Sequence, residues 1–145
     1  MKVKNLMTSP VIRIRPEETV DVAARTLTHY NIGILPVYDS AGKLCGLVTD
    51  RDLVTRCVAS DRSPKETRVK DVMTKQLMTV TPDMDAAVAA HLMGRKQIRR
   101  LPVVENGTLC GMVTLGDLAN REESVMDAAD ALSDITSNIA EGKMW

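Results

Sequence analysis

Residues 46–53 read GLVTDRDL, and residues 111–118 read GMVTLGDL. One octet, Gly-x-Val-Thr-x-x-Asp-Leu, thus occurs twice in a chain of 145 residues. Self-similarity at a fixed period marks a repeat architecture. Toward the N-terminus, Leu44-Cys45 matches Leu109-Cys110, and Ile32-x-x-Leu35-Pro36-Val37 matches Ile98-x-x-Leu101-Pro102-Val103. Val22-Ala23-Ala24 matches Val88-Ala89-Ala90, Pro16 matches Pro82, and VKNLMT at 3–8 matches VKDVMT at 69–74. The offset is 66 up to Val37/Val103 and 65 from Gly42/Gly107 onward.

The missing residue falls where a chain tolerates it. In repeat two, the β-rich runs 101–105 and 108–114 flank Asn106-Gly107. Asn-Gly is the strongest two-residue hairpin signal, because both central positions need φ > 0. Repeat one has the longer turn Asp39-Ser40-Ala41-Gly42. Each repeat also predicts a short strand, at 11–14 or 77–80, before a helix entered through Pro16-Glu17-Glu18 or Pro82-Asp83. Val20, Ala23, Ala24 and Leu27, or Val88, Ala89, Leu92 and Met93, recur at helical spacing. A second helix follows Thr-x-x-Asp and carries Leu53, Val54, Cys57 and Val58 on one face in repeat one. The order per repeat is β-α-β-β-α. The domain organisation read from this is repeat one at 1–60, a linker at 61–68, repeat two at 69–120 and a helical tail at 121–145. Roughly 60 residues is near the lower limit for a stable domain. Two such α/β (α+β) repeats are therefore expected to pack sheet to sheet about a pseudo-twofold axis, leaving two clefts.

Composition narrows the function. Nineteen basic side chains balance nineteen acidic ones, so no global charge draws the chain to nucleic acid or anionic lipid. The local patch Arg95-Lys96-x-x-Arg99-Arg100 is the one feature that points toward nucleic acid. The chain has no Phe, one Trp and two Tyr, which leaves few faces for stacking single-stranded bases. No apolar run has the length of a membrane span or of a signal peptide, so a soluble, cytoplasmic protein is expected. Three cysteines in no metal-type spacing argue against a disulfide framework or a metal site. Cys45 and Cys110 occupy one equivalent strand position and read as small core residues. His29 and His91 are not equivalent, and no Cys–His pair has catalytic spacing. An enzyme is therefore not expected.

Thr-x-x-Asp before an apolar residue has two readings. It is close to a helical capping box, in which the Thr oxygen accepts a backbone N–H and the acid favours the positive helix end. The same geometry suits a ligand. A Thr hydroxyl beside free helix N–H groups can hold phosphate, and an Asp carboxylate can accept both hydroxyls of a ribose.

VKDVMT, IRRLPVV, the GMVTLGDL octet and their first-repeat counterparts closely resemble CBS domains, two of which in tandem form a Bateman module. The resemblance covers residues 1–120, as in small stand-alone bacterial CBS-pair proteins. It implies a non-catalytic regulatory module that binds an adenosine-containing ligand in the clefts between repeats: AMP, ADP or ATP, less often S-adenosylmethionine or NAD. Carried over by residue, one cleft would combine Thr114 and Asp117 with Ile12, Gly33 and Ile34. The other would combine Thr49 and Asp52 with Leu77, Met78, Arg99 and Arg100. With Arg51, the second cleft would hold three arginines and take the more phosphorylated ligand; otherwise Arg99 and Arg100 are ordinary solvated hairpin residues. The family also implies a homodimer and a regulated partner protein. The rival is an interaction scaffold whose boxes are helix caps and nothing more. The tail, with Val125, Ala128, Ala129, Leu132, Ile135, Thr136 and Ile139 at helical spacing, is expected to pack on its own module or on a second chain. Gly142 reads as a helix end and Trp145 as a loose terminus.

Overall fold

A computed structural model of the chain describes residues 1–140, with side chains through 137. The architecture is mixed α/β: two separate two-stranded antiparallel sheets, each with its own helices, and a C-terminal helix. Helix α1 spans Val20–Tyr30, and strands β1 (Ile34–Tyr38) and β2 (Leu44–Thr49) form the first hairpin. Helix α2 (Asp50–Leu53) runs on into a π-type turn at Val54–Val58. The second repeat supplies α3 (Ala86–Lys96), β3 (Arg100–Glu105), β4 (Thr108–Thr114) and α4 (Leu115–Ala119). Helix α5 covers Val125–Ala140.

The hairpin chemistry is as the sequence predicts. Asn106 and Gly107 sit at φ 53° and 79°. In the longer first turn, Gly42 takes φ 79° and the Asp39 carboxylate accepts the N–H groups of Ala41 and Lys43. Two expectations need correction. The leading strands reduce to single parallel bridges, Ile14 to Val37 and Val80 to Val103, because only one residue of each run reaches a free strand edge. The first helices also start later than their prolines. Thr19 caps α1 by accepting the Val22 N–H, and Asp85 caps α3 by accepting the Ala87 N–H. A side-chain oxygen satisfies an orphan donor that Pro cannot.

The chain divides into two compact units that cut across the repeat boundaries. Unit one consists of Val11–Leu77 and Gly107–Leu109; among the described residues, unit two consists of Met1–Pro10, Met78–Asn106 and 110–140. Each leader motif therefore belongs to the unit built around the other repeat. In unit two, the Val3 N–H donates to the Met84 carbonyl and Thr8 exchanges backbone bonds with Met112, while Val3 and Leu6 join the core of Leu101, Val103, Val113 and Met93. In unit one, the Val69 N–H donates to the Glu18 carbonyl and Thr74 exchanges bonds with Leu47, while Val69 and Val72 join Leu35, Val37, Val48 and Leu27. A glycine admits each leader. A Cβ on Gly46 would lie 2.6 Å from the Met73 sulfur, and one on Gly111 would lie 2.8 Å from both the Met7 sulfur and the Thr8 carbonyl oxygen.

The helix faces were partly foreseen. Val20, Ala23 and Leu27 are buried, but Ala24 is exposed; Ala89 and Met93 are buried, but Val88 is exposed. Leu53 and Cys57 are buried, whereas Val54 and Val58 remain 58% and 62% exposed. Helix α5 packs on α3 and α4 of its own unit through Ala128, Ala131 and Ile135. Gly142 and Trp145 lie outside the described residues. Among the described residues, no helix is long and apolar enough to cross a membrane.

Candidate functional site

Both Thr-x-x-Asp segments form complete capping boxes. The Thr49 hydroxyl oxygen accepts the Asp52 N–H at 3.1 Å, and the Asp52 carboxylate accepts the Thr49 N–H at 3.0 Å. The corresponding distances for Thr114 and Asp117 are 3.1 and 2.8 Å. Each helix begins at the residue after its Thr, so the Asp is its third residue rather than a preceding one. Both helices are short, with four and five residues. Little macrodipole is therefore available to either box, since it is a sum over aligned peptide units.

Identical boxes sit in different surroundings. Asp52 is buried, 8% exposed. Its Oδ1 lies 3.9 Å from the Arg56 guanidinium, and its Oδ2 also accepts from the Thr74 hydroxyl at 3.5 Å. Arg56 is held in turn by the carbonyls of Val72 and Met73. The strand entry beside this box is Gly33, whose carbonyl accepts the Asp50 N–H, and the Asp50 carboxylate lies over Gly33. The first box is thus closed by its own cation and fronted by an acid.

The second box is open. Asp117 is half-buried, and among the described residues its Oδ1 has no partner. The strand entry beside it is Arg99, whose carbonyl accepts the Leu115 N–H at 2.8 Å. Arg99 and Arg100 are exposed, and among the described residues neither guanidinium is ion-paired. A cleft of about 600 Å³ opens here, lined by Arg99, Arg100, Thr114, Leu115 and Gly116. The end of α4 and helix α5 also line it, through Ala119, Val125, Ala128, Ala129 and Leu132. This volume lies within the usual range for small-ligand pockets.

The site residues named from sequence therefore fall as follows. Ile12, Gly33, Ile34, Thr49, Arg51, Asp52 and Leu77 belong to unit one; Met78, Arg99, Arg100, Thr114 and Asp117 belong to unit two. The resemblance grouped Arg99 and Arg100 with Thr49 and Asp52, which lie in the other unit; within unit two, both arginines line one cleft with Thr114. The contribution of α5 was missed: its helical stripe was visible, but not that Val125, Ala129 and Leu132 turn toward a cleft while Ala131 faces the core.

The cysteines fit the core reading. The Cys45 thiol donates to the Val37 carbonyl, and burial, then the negative charges of Asp39 and Glu17, push it above its ordinary range. Cys57 is fully buried and donates to the Arg62 carbonyl. His29 and His91 are exposed, and His29 packs edge-on against Tyr30. Among the described residues, no group of three or more His, Cys, Asp or Glu could hold a metal ion.

Comparison with known proteins agrees with the duplicated motifs. The family model for the CBS domain matches residues 3–59 and 69–124. The CBS domain-containing protein YhcV of Bacillus subtilis is 40% identical over 134 residues, which span 92% of this chain and 94% of that protein. Among solved structures, Hypoxic Response Protein I with two coordinated zinc ions superposes with a TM-score of 0.77 at 26% identity, covering 83% of this chain and 98% of that one. The CBS domain pair of protein MJ0100, solved in complex with 5'-methylthioadenosine and S-adenosyl-L-methionine, superposes with a TM-score of 0.72 at 28% identity, covering 82% and 93%.

Proposed function

Because the chain belongs to the CBS domain family and carries two CBS repeats, we propose that it is a non-catalytic regulatory module whose Thr114–Asp117 box binds an adenosine nucleotide. The observation that carries this reading is that Thr114 of the open box lines one cleft with two unpaired arginines. Asp117 Oδ1 can accept a ribose hydroxyl while Oδ2 keeps the cap. Arg99 and Arg100 present guanidinium groups, which match phosphate geometry. The MJ0100 complex with two adenosine-containing ligands supports the class. Those ligands carry no phosphate, so the arginine pair is what turns the preference here toward AMP, ADP or ATP. The Thr49 box, closed by Arg56 and fronted by Asp50, takes the weaker role.

Calorimetric titration with AMP, ATP and 5'-methylthioadenosine tests this. The nucleotides should bind more tightly than methylthioadenosine, and that advantage should vanish in Arg99→Ala/Arg100→Ala. Equal affinity for all three ligands in the unaltered protein would contradict the reading. ATP should not be turned over. Regulation would follow from unequal nucleotide affinity for two arrangements of the chain. The exposed pair Val54 and Val58 gives a second copy an apolar face to cover, so the protein should sediment as a dimer.

A scaffold reading has its own observation: both boxes are already satisfied as caps. It predicts no thermal response to any of these ligands.

A further inference from the structure

We propose that leader one, residues 3–8, is a swappable strap: it leaves its groove in unit two, and the same leader of a second copy takes its place. This inference stands apart from the nucleotide reading. The two leaders make matching backbone contacts. Val3 and Lys4 donate to the carbonyls of Met84 and Pro82, both at 2.9 Å, and Thr8 pairs with Met112 through bonds of 2.8 and 3.1 Å. Val69 and Lys70 donate to the carbonyls of Glu18 and Pro16 at 2.8 and 3.1 Å, and Thr74 pairs with Leu47 through bonds of 2.7 and 3.0 Å. Two buried aliphatic residues anchor each leader, Val3 and Leu6 in one and Val69 and Val72 in the other.

Side chains separate the two. Leader two is stapled: the Arg56 guanidinium donates to the carbonyls of Val72 and Met73, each at 3.1 Å. The Thr74 hydroxyl donates to Asp52 at 3.5 Å, and Asp71 pairs with Arg62 at 3.8 Å. Hydrogen bonds from a charged donor are the stronger kind. Leader one lacks such a staple. Arg121 stands where Arg56 does in the repeat, and among the described residues its guanidinium bonds neither Leu6 nor Met7, and the Thr8 hydroxyl has no partner. The ion pairs of Lys2 and Lys4 with Asp83, at 3.5 and 3.2 Å, are exposed and contribute little. Connectivity adds to the contrast. Leader two lies inside the continuous stretch Val11–Leu77 of its own unit, whereas the chain passes from leader one into the other unit at Val11. The vacated groove would offer the Met112 backbone, the seat of Val3 and Leu6 among Leu101, Val103, Val113 and Met93, and the Asp83 carboxylate. An extended segment with two aliphatic anchors and flanking lysines meets all three by strand addition. Leader one of a second copy carries those residues at the same spacing. Swapping identical elements costs little, because the same contacts form again.

Amide hydrogen exchange on the full chain reads the staple. The Thr8 amide should exchange about tenfold faster than the Thr74 amide, the scale of one charge-assisted hydrogen bond, and Arg56→Ala should speed Thr74 while leaving Thr8 unchanged. Equal rates at Thr8 and Thr74 in the unaltered chain overturn the staple, and the proposal with it. The swap is read by mixing full chains carrying Thr8→Cys with full chains carrying Met112→Cys, at positions bridged in the sheet, under mild oxidation. A disulfide between position 8 of one chain and position 112 of another, identified by peptide mass, is expected. The mixture of Thr74→Cys with Leu47→Cys, the matching bridge of unit one, should give none between chains. Thr8→Cys/Met112→Cys in a single chain should close an internal disulfide, showing that both substitutions fold and that the geometry permits the bond. That internal bond without any bond between chains in the first mixture overturns the swap, as do equal yields between chains from the two mixtures.

Discussion

GLVTDRDL and GMVTLGDL fold into capping boxes with the same hydrogen bonds, yet one is closed and the other open. At the first, Arg56 and Thr74 occupy the carboxylate, and Asp50 covers the strand entry. At the second, the carboxylate keeps a free oxygen, the strand entry is Arg99-Arg100, and α5 adds apolar lining to the cleft. Residues inside and outside the octet decide this: Asp50 lies within it, Arg56 and Thr74 beyond it. Four residues past Asp52 the chain has Arg56, whereas four past Asp117 it has Arg121; only the first forms an ion pair with its Asp among the described residues. A duplicated motif thus repeats one cap in two different surroundings.

The largest effect that would break the comparison lies at the leaders. Gly111→Ala forces a methyl against both a sulfur and a backbone oxygen at 2.8 Å, whereas at Gly46 the nearest backbone atom is at 3.0 Å and the methionine sulfur can move. Overpacking costs about 1–3 kcal/mol. Urea denaturation should place Gly111→Ala at the upper end and Gly46→Ala below it; the reverse order would mean that the two leader contacts are not as described.

Next come the box acids. Asp52→Ala removes a cap and leaves the Thr74 hydroxyl without its acceptor and Arg56 without its carboxylate, so it should destabilise by about 1–2 kcal/mol. Asp117→Ala loses the cap alone, about 1 kcal/mol or less. Thermal melts of the two variants sharpen the contrast, and equal losses would erase it.

Arg99→Ala/Arg100→Ala touches exposed, unpaired side chains, so its stability should change by less than about 0.5 kcal/mol. The phosphate contacts proposed for the pair would be charge-assisted hydrogen bonds worth about 1.5–3 kcal/mol each, so AMP should weaken at least tenfold. A large drop in melting temperature would instead make these residues structural.

The smallest effect concerns Asp83. The Lys4 ammonium, hydrogen-bonded to it, and then the charge of Lys2 hold its carboxyl below the ordinary carboxylate range. A lowered acid pKa stabilises the folded state above the ordinary range, and the benefit is lost as pH falls through the folded value. The pair is fully solvated, so Asp83→Asn should leave the melting temperature at pH 7 nearly unchanged and slightly flatten its fall in acid. A loss at pH 7 comparable to Asp52→Ala would contradict this.

Much of this was legible because it is local. The Asn106-Gly107 turn, the two hairpins and the Thr-x-x-Asp boxes each rest on chemistry within a few residues. The exchange of leaders was not legible, because VKNLMT and VKDVMT are nearly the same and fit either unit equally well. The leading strands at 11–14 and 77–80 carried the right residue types, but β-pattern does not reveal how much free edge a partner offers. For the same reason Arg99 and Arg100 were visible as a charged pair, while their place beside Leu115 depends on the backbone bond from Leu115 to Arg99. The cleft face of α5 was hidden because Ala128, Ala129 and Ala131 look alike in a helical stripe, and only packing against α3 and Gly94 sets the rotation.

The central claim is that one octet binds nucleotide and its twin caps a helix. Thermal shift with AMP on Asp52→Asn and Asp117→Asn tests it most directly. At about 100 times the dissociation constant, ligand adds roughly 2.7 kcal/mol. The account predicts that Asp52→Asn melts lower but keeps the full AMP shift, while Asp117→Asn keeps most of its stability and loses the shift. A shift lost in Asp52→Asn and retained in Asp117→Asn would contradict it.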